Sequence, residues 1–461
     1  MFTFAKNLYT IGVTLNEKGI QKKIFERGLK KMRILMLSWE YPPRIVGGIA
    51  RVVHDLSHRL IKDGHDVTVV TYKDGDTPEY ENDKGVKVYR VNNYMINPNN
   101  FIDWILQLNF NLAAKASQLI TTEGSFDVIH AHDWLVTYAA KNLKDAFNIP
   151  IVSTIHATEA GRNSGIHDET QRYINDTEWL LTYESTEVIV NSNFMKGDLQ
   201  RLFGLPFEKI NVIPNGINLT NFNGIERDYD FRRNYAMDNE KIILFLGRLV
   251  YEKGIQHLIS AMPKILEGYH DAKLVIAGKG GMLDDLKAQV SSMGLDNKVC
   301  FAGYLNSKQV CKMYKAADIS VFPSTYEPFG IVALEAMLAG NPVVVSDIGG
   351  LNEIVTHGVD GMKSYAGNPN SIADSILALL YDHQLCDNIV KKAKAKVREE
   401  YNWTKIAQDT HFIYQKAICE TMAERQSKQI AQENAKKAKK AKNNESEITN
   451  LLSFKKRQAY A

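Results

Sequence analysis

The sequence predicts two doubly wound α/β domains that face a central cleft, and three observations carry that prediction. At 461 residues the chain is too long for one typical domain. From Met32 onward, short β-branched runs alternate with helical patterns, the order that builds a parallel sheet with crossover helices. The alternation lapses over the charged, poorly patterned stretch Asn223–Glu240 and then begins again, which marks a domain junction near 220–240.

The first βαβ unit runs from the strand Arg33–Ser38, through a loop carrying Pro42, Pro43, Gly47 and Gly48, into the helix Ile49–Asp63. Gly64 stops that helix, and Asp66–Thr71 returns as a strand. Further strands follow at Asp127–Ile129, Ile151–Ile155 and Val188–Asn191, and Val212–Asn218 reads as a strand running into a turn. The second alternation starts at Lys241–Leu246 and continues through Lys273–Ala277, Val299–Ala302, Ile319–Phe322 and Val343–Ser346. The expected organisation is a basic extension (1–31), a first Rossmann-like domain (32–220), a second (221–402), a closing helix (403–420) and a polar tail (421–461).

Charge is unevenly distributed. The formal net charge is +3, but residues 1–31 carry +5 and residues 421–461 carry +6, leaving −8 on the body between them. An acidic body with basic ends is not the footprint of a nucleic-acid-binding domain. The ends suit either solvated arms or attachment to an anionic surface, and Lys428–Lys442 suits a solvated helix or a disordered arm. Residues 1–31 lack the apolar core and cleavage site of a signal peptide, and translation starting at Met32 is an equal alternative. With no apolar run of about 18 residues, no integral membrane segment is expected. Cys300, Cys311, Cys386 and Cys419 are scattered, without metal-ligand spacing, and read as reduced thiols of a cytoplasmic protein. No motif speaks to oligomeric state.

The most informative segment is Tyr326–Met337, which sets Glu327 and Glu335 eight residues apart across a strand-to-helix turn. The strand Ile319–Phe322 ends at Pro323, and the helix Ile331–Ala339 stops at Gly340. Backbone N–H groups at the start of that helix, around Phe329, Gly330 and Ile331, face the crevice where open α/β sheets bind ligands. Carboxylates accept from hydroxyl pairs, so the layout suits a ligand with sugar hydroxyls and a phosphate. An exposed loop glutamate followed by a solvated helical one fits the same spacing equally well.

Three further sites join it. Arg248 and Lys253 flank the loop after the strand Lys241–Leu246, where two cations suit the charge of a leaving diphosphate without a metal. A surface ion pair of Lys253 with Glu252 or another neighbour is the alternative. Gly47-Gly48 lets a backbone approach a ligand at a helix start, although Arg44-Ile-Val-Gly-Gly lacks the dinucleotide fingerprint GxGxxG. His130-Ala-His132-Asp133-Trp134 and Thr154-Ile-His156-Ala-Thr-Glu159-Ala-Gly-Arg162 each follow a strand. A histidine there is either a ligand contact or a satisfied structural residue. No convincing DxD occurs, Asp74-Gly-Asp76 lying in a charged loop, so no metal and no cofactor are expected.

Taken together, Glu327-Pro-Phe-Gly with Glu335, Gly247-Arg248 with Lys253-Gly254, Gly47-Gly48, the two histidine segments and Pro214-Asn215-Gly resemble the retaining glycosyltransferases of family 4. The resemblance covers about Met32 to Ala417 and implies the two-domain GT-B fold, completed by a helix over Trp403–Ala417 that crosses back onto the first domain. It implies that Glu327 lies by the donor sugar, Glu335 binds the nucleotide ribose, and Arg248 and Lys253 clamp the diphosphate. It further implies that His156 contacts the donor 6-hydroxyl, Asp133 lies on the acceptor side, and Asn215 and the Gly47-Gly48 loop face the cleft.

Trp39-Glu-Tyr-Pro-Pro, His130-Ala-His-Asp-Trp-Leu and Thr154-Ile-His-Ala-Thr-Glu-Ala-Gly-Arg are most similar to the bacterial 1,4-α-glucan glucosyltransferases of that family. They imply transfer of glucose from UDP- or ADP-glucose to a glucan or oligosaccharide. The first loop departs from the glycogen and starch synthases of family 5, which carry Lys-x-Gly-Gly where this chain has Arg44 three residues before Gly47. Two alternatives stay open: a family 4 transferase of cell-envelope polysaccharide or glycolipid, and a non-catalytic nucleotide-sugar-binding regulator.

Overall fold

The computed structural model describes residues 31–93 and 100–458, with side chains up to Lys437. The basic extension therefore lies outside the described residues except for Lys31. Lys31–Ile413 form one compact unit, and the described residues from Tyr414 onward form another, a continuation of the last helix (Trp403–Gln458). The tail thus takes the helical one of its two expected forms.

Two sheets organise the compact unit. The first contains β1 (Arg33–Leu37), β2 (Asp66–Tyr72), β3 (Tyr80–Asp83), β4 (Val86–Val91), β5 (Val128–His132), β6 (Ile151–Ile155), β7 (Glu187–Val190) and β8 (Ile210–Val212). Their spatial order is β3-β4-β2-β1-β5-β6-β7-β8, parallel throughout except for the β3–β4 pair. The second contains β9 (Lys241–Leu246), β10 (Ala272–Ala277), β11 (Val299–Gly303), β12 (Ile319–Phe322), β13 (Val343–Ser346) and β14 (Met362–Ser364), in the order β11-β10-β9-β12-β13-β14.

Both strand orders reverse beside their first strand, between β1 and β5 and between β9 and β12. Crevices at the carboxyl ends of strands form at such switch points. The loops that leave β1, β5, β9 and β12 are therefore the ones the fold places at a ligand site.

Burial on both faces explains the continuous apolar runs. In β9, Ile242 and Leu244 join the core that includes Phe322 and the helix Ile331–Ala339, while Ile243 and Phe245 point to the opposite core with Ile259 and Ile276. The period of two along one strand thus feeds two separate cores.

Four features differ from the sequence reading or were missed by it. The stretch Val212–Asn218 leaves the sheet after Val212, because Pro214 has no N–H to give the ladder. Ile217 instead donates to Tyr401 O at 2.8 Å and bridges to Asn402. The β3–β4 hairpin went unread. Its turn places Lys84 at φ +51° and Gly85 at φ +101°, with Gly85 N donating to Asn82 Oδ1, the two positive dihedrals that twist-matched hairpins need. The helix Phe101–Glu123, capped by Asn100, and the short edge strand β14 also went unread. Within the compact unit, the last helix reaches the first domain, with the His411 ring tilted against His65 at 4.8 Å.

Candidate active site

The helices that follow β1, β9 and β12 share an unusual start. Each begins after a glycine (Gly48, Gly254, Gly330), which has no side chain to cap it, although at the first of them the Glu40 carboxylate accepts from the Ala50 N–H. Asn100, Thr158, Asp168, Ser192, Asp228, Asn306, Asn368 and Asp382 cap helices elsewhere in the fold. Uncapped N–H groups with the positive end of a helix dipole attract anions, and the three starts lie at the switch-point strands.

On the second sheet, the loops after β9 and β12 are locked together. Gly254 has φ +68°, and a Cβ there would come within 2.0 Å of Pro323 O, so only glycine permits this approach. Lys253 Nζ consequently sits 2.7 Å from Glu327 Oε2, and Ser324 Oγ donates to the same oxygen at 3.3 Å. Both charged side chains are mostly buried, Lys253 at 18% exposure and Glu327 at 11%. Lys253 is therefore mostly buried and not at the surface, and the neighbour it pairs with is Glu327, not Glu252. Arg248 does face solvent, at 55% exposure, with Glu252 a loose 3.4 Å away.

Glu335 projects from the helix Ile331–Ala339 and is buried, not solvated. Arg51 Nη1, from the first domain, lies 2.7 Å from its Oε1, and Tyr314 donates to its Oε2 at 3.2 Å. Burial raises the Glu335 carboxyl above the ordinary range, while Arg51 and Tyr314 oppose that rise. Gly48 closes against the same helix: a Cβ there would meet Ile331 Cδ1 at 3.3 Å.

The first domain contributes a chain of joined polar groups. Glu40 Oε2 accepts from Val46 N at 2.5 Å and Gly47 N at 3.1 Å, so the Gly47 N–H already holds an internal carboxylate. Asp133, at φ +62°, accepts from His156 N at 2.8 Å and donates its own N–H to Thr154 O. Such a backbone is costly for a non-glycine residue and persists only where neighbours fix it. Asp133 here holds the His156 loop.

His156 Nε2 lies 3.3 Å from His132 Nδ1, and His156 Nδ1 lies 3.3 Å from Asn191 Nδ2. His130 is 2.7 Å from Thr154 Oγ1, and its ring centroid lies 4.0 Å from that of His132 in a tilted contact. Burial depresses all three imidazoles, His130 to about 3 and His132 well below its usual range, so the cluster is neutral at physiological pH.

Tyr326 joins the two domains. Its hydroxyl accepts from Thr158 N at 3.2 Å, and its ring fills the space that a Cβ on Gly161 would occupy, 2.4 Å away. Ser192 Oγ donates to Pro328 O at 2.6 Å, and Glu353 accepts from Asn193 N and Phe194 N. Glu327 and His156 therefore stand one and two residues from the same cross-domain contact. Phe329 and Asn215 are buried, the latter in the turn after β8. Gly330 takes φ +113° against Leu351.

Arg51, Tyr326, Glu40, Tyr314 and Asn191 are the site-region residues that the sequence reading missed. Only Arg51 left a signal: a cation in a helix's first turn runs against the helix dipole, which calls for a carboxylate partner such as Glu335.

Two family models match the chain, Glycosyltransferase Family 4 over residues 46–221 and Glycosyl transferases group 1 over residues 226–396. An uncharacterized glycosyltransferase of Methanocaldococcus jannaschii is 46% identical over 391 residues, covering 84% of this chain and 99% of the relative. A glycogen synthase of Mycobacterium tuberculosis is 34% identical over 397 residues, covering 83% and 94%. The structure of sucrose-phosphate synthase from Thermosynechococcus elongatus superposes with a TM-score of 0.72 at 25% identity, covering 84% of this chain and 99% of that one.

Proposed function

The chain belongs to the family 4 glycosyltransferases of GT-B fold, and from that premise we propose that it moves glucose from UDP- or ADP-glucose to the non-reducing end of an α-1,4-glucan, with retention of configuration. The observation that carries the reading is the Lys253–Glu327 pair at the β9/β12 switch point, beside an exposed Arg248 and the uncapped helix start at Ile331. A glycogen synthase among the similar proteins supports glucan as the acceptor.

In this reading the diphosphate lies between Arg248, Lys253 and the N–H groups around Phe329, Gly330 and Ile331, which stabilise the charge that develops as the glycosidic bond breaks. Glu327 and His156 orient the sugar, and the acceptor 4-hydroxyl attacks from the face that the diphosphate leaves. Lys253 is held near its task by Glu327, so it is positioned before the donor arrives. The ribose hydroxyls bind Glu335 and must compete with Arg51 for Oε1. Asp133 acts on the acceptor side through the His156 loop that it holds.

Labelled UDP-glucose and ADP-glucose, each offered with maltooligosaccharide and with EDTA present, test this. Lengthened oligosaccharides bearing new α-1,4 bonds are the expected product, and EDTA leaves the rate unchanged. Transfer only to a lipid or phosphosugar acceptor would move the chain to a different acceptor class. Strict dependence on Mg²⁺ would overturn the clamp.

A further inference from the structure

His54, His58 and Asp83 converge on one point of the first domain, with the other ring nitrogen of each histidine committed elsewhere. The two histidines stand one turn apart on the helix Ile49–Lys62, and Asp83 closes β3. One ligand atom from each lies within 4.8 Å of the others. His54 Nε2 is 3.6 Å from Asp83 Oδ2, and His58 Nε2 is 3.3 Å from Asp83 Oδ1.

The other ring nitrogens are committed. His54 Nδ1 lies 2.8 Å from the Asp55 carboxylate, and His58 Nδ1 lies 2.7 Å from the His54 carbonyl oxygen. Both oxygens can only accept, so both Nδ1 atoms carry the hydrogen. A neutral imidazole has one N–H, which leaves each Nε2 as a bare lone pair turned toward an anionic carboxylate. The His58 Nε2 atom is buried with no hydrogen-bond partner. Tyr41 donates to Asp83 Oδ2 at 2.9 Å and fixes the carboxylate in turn. Three electron-rich groups held together this way repel one another unless a cation lies among them.

The same arrangement is the outer shell of a metal site. Histidines that ligate through Nε2 donate their Nδ1–H to a carboxylate or backbone carbonyl, which sets tautomer and ring orientation. The two imidazole nitrogens stand 3.6 and 3.3 Å from different oxygens of Asp83, and one ligand atom from each of the three residues lies within 4.8 Å of the others, so small side-chain shifts bring them to the roughly 3.3 Å edge of a tetrahedral shell with zinc bonds of about 2 Å. We propose that His54 Nε2, His58 Nε2 and an Asp83 oxygen bind one divalent transition metal of the zinc class, with water completing the shell. Two imidazoles and a carboxylate suit Zn²⁺, Co²⁺ or Ni²⁺ and not Mg²⁺ or Ca²⁺. The metal ties the helix that carries Arg51 to the β3–β4 hairpin, so its role is structural and is separate from glycosyl transfer.

The full-length protein, stripped with a chelator and held at pH 8 where ordinary imidazoles are neutral, is titrated with Zn²⁺ by calorimetry and with Co²⁺ by absorbance. One equivalent of Zn²⁺ binds at micromolar concentration or tighter, Zn²⁺ raises the melting temperature, and Co²⁺ gives visible ligand-field bands without a sulfur charge-transfer band. His58→Gln lowers Zn²⁺ affinity by at least about 100-fold, and Asp55→Asn, which touches only the outer shell, lowers it by about 10–100-fold. His270→Gln, at an exposed histidine elsewhere, changes neither. The wild-type cobalt spectrum and Asp55→Asn decide the matter if His58→Gln does not fold. No uptake of Zn²⁺ by the wild type would show that protons alone hold the cluster and would overturn the proposal. Equal affinity in wild type and His58→Gln would do the same.

Discussion

The carboxyl ends of the second sheet leave a cation and two helix starts open to a ligand, whereas those of the first sheet carry polar groups already joined to one another. Arg248 extends into solvent, and the helices led by Gly254 and Gly330 start without a capping side chain. Across from them, Glu40 holds the Gly47 N–H, Asp133 holds the His156 N–H, and His130, His132 and His156 lean on one another. Under the proposed function this contrast divides the labour: one side would supply charge to a leaving group, and the other a pre-joined surface for the sugar. Fixed dipoles in a water-poor site need no rearrangement when the reaction occurs.

The largest expected effect breaks the charged side. Lys253→Ala and Arg248→Ala each lower kcat/KM by at least about 100-fold, the scale of losing one transition-state charge stabiliser. The two then part in stability. Lys253 covers the buried Glu327, so its loss also lowers the melting temperature, while loss of the exposed Arg248 does not. Turnover close to wild type in both variants would remove the clamp altogether.

The next prediction separates the two glutamates. Glu335→Gln weakens donor binding by about 1.5–3 kcal/mol, the range for a hydrogen bond to a charged group, and appears mainly in KM. Glu327→Gln acts at the sugar and appears mainly in kcat. Since Arg51 contacts Glu335 from the opposite domain, Glu335→Gln also loosens the cross-domain contact, visible as faster hydrogen exchange around Arg51. Reversed kinetic signatures would exchange the two assignments.

The contrast between the two sides also explains what was legible in the sequence. Arg248 and Lys253, or Glu327 and Glu335, are a few residues apart, so a strand, a turn and a helix start suffice to place them. The alternating apolar runs likewise marked most strands of both sheets, since burial on both faces leaves them little polar character. Arg51 with Glu335, Tyr326 with Thr158, and Asn191 with His156 are joined only by folding, and no local pattern encodes such pairs. Lys253 was legible as a cation but not as the partner of Glu327, because that pairing depends on Gly254 meeting Pro323. The hairpin β3–β4 left its alternation in Val86–Val91 and was missed beside the stronger charge pattern of its loop.

The neutral side makes the third prediction, which concerns pH. Burial depresses the His130 imidazole to about 3 and that of His132 well below its usual range, while both regain a value near 6.5 when the chain unfolds. Between those values the unfolded chain binds more protons than the folded one, so stability rises with pH through the window and falls as pH drops below 6.5. Above pH 6.5 both states are neutral and the contribution is flat. The His130 imidazole costs about 2 kcal/mol between pH 6.5 and pH 5, at about 1.4 kcal/mol per pH unit, and His132 acts in the same direction. Melting temperatures across pH 5 to 8 therefore fall on the acid side, and His130→Gln flattens the fall because glutamine keeps a hydrogen-bonding group near Thr154 without titrating. Catalytic turnover should follow the same limb only where the protein begins to unfold, since a neutral cluster takes up no proton during transfer. An acid-side slope identical in His130→Gln and in the wild type would mean that the charge sensitivity lies elsewhere and that the histidines orient the sugar without limiting stability.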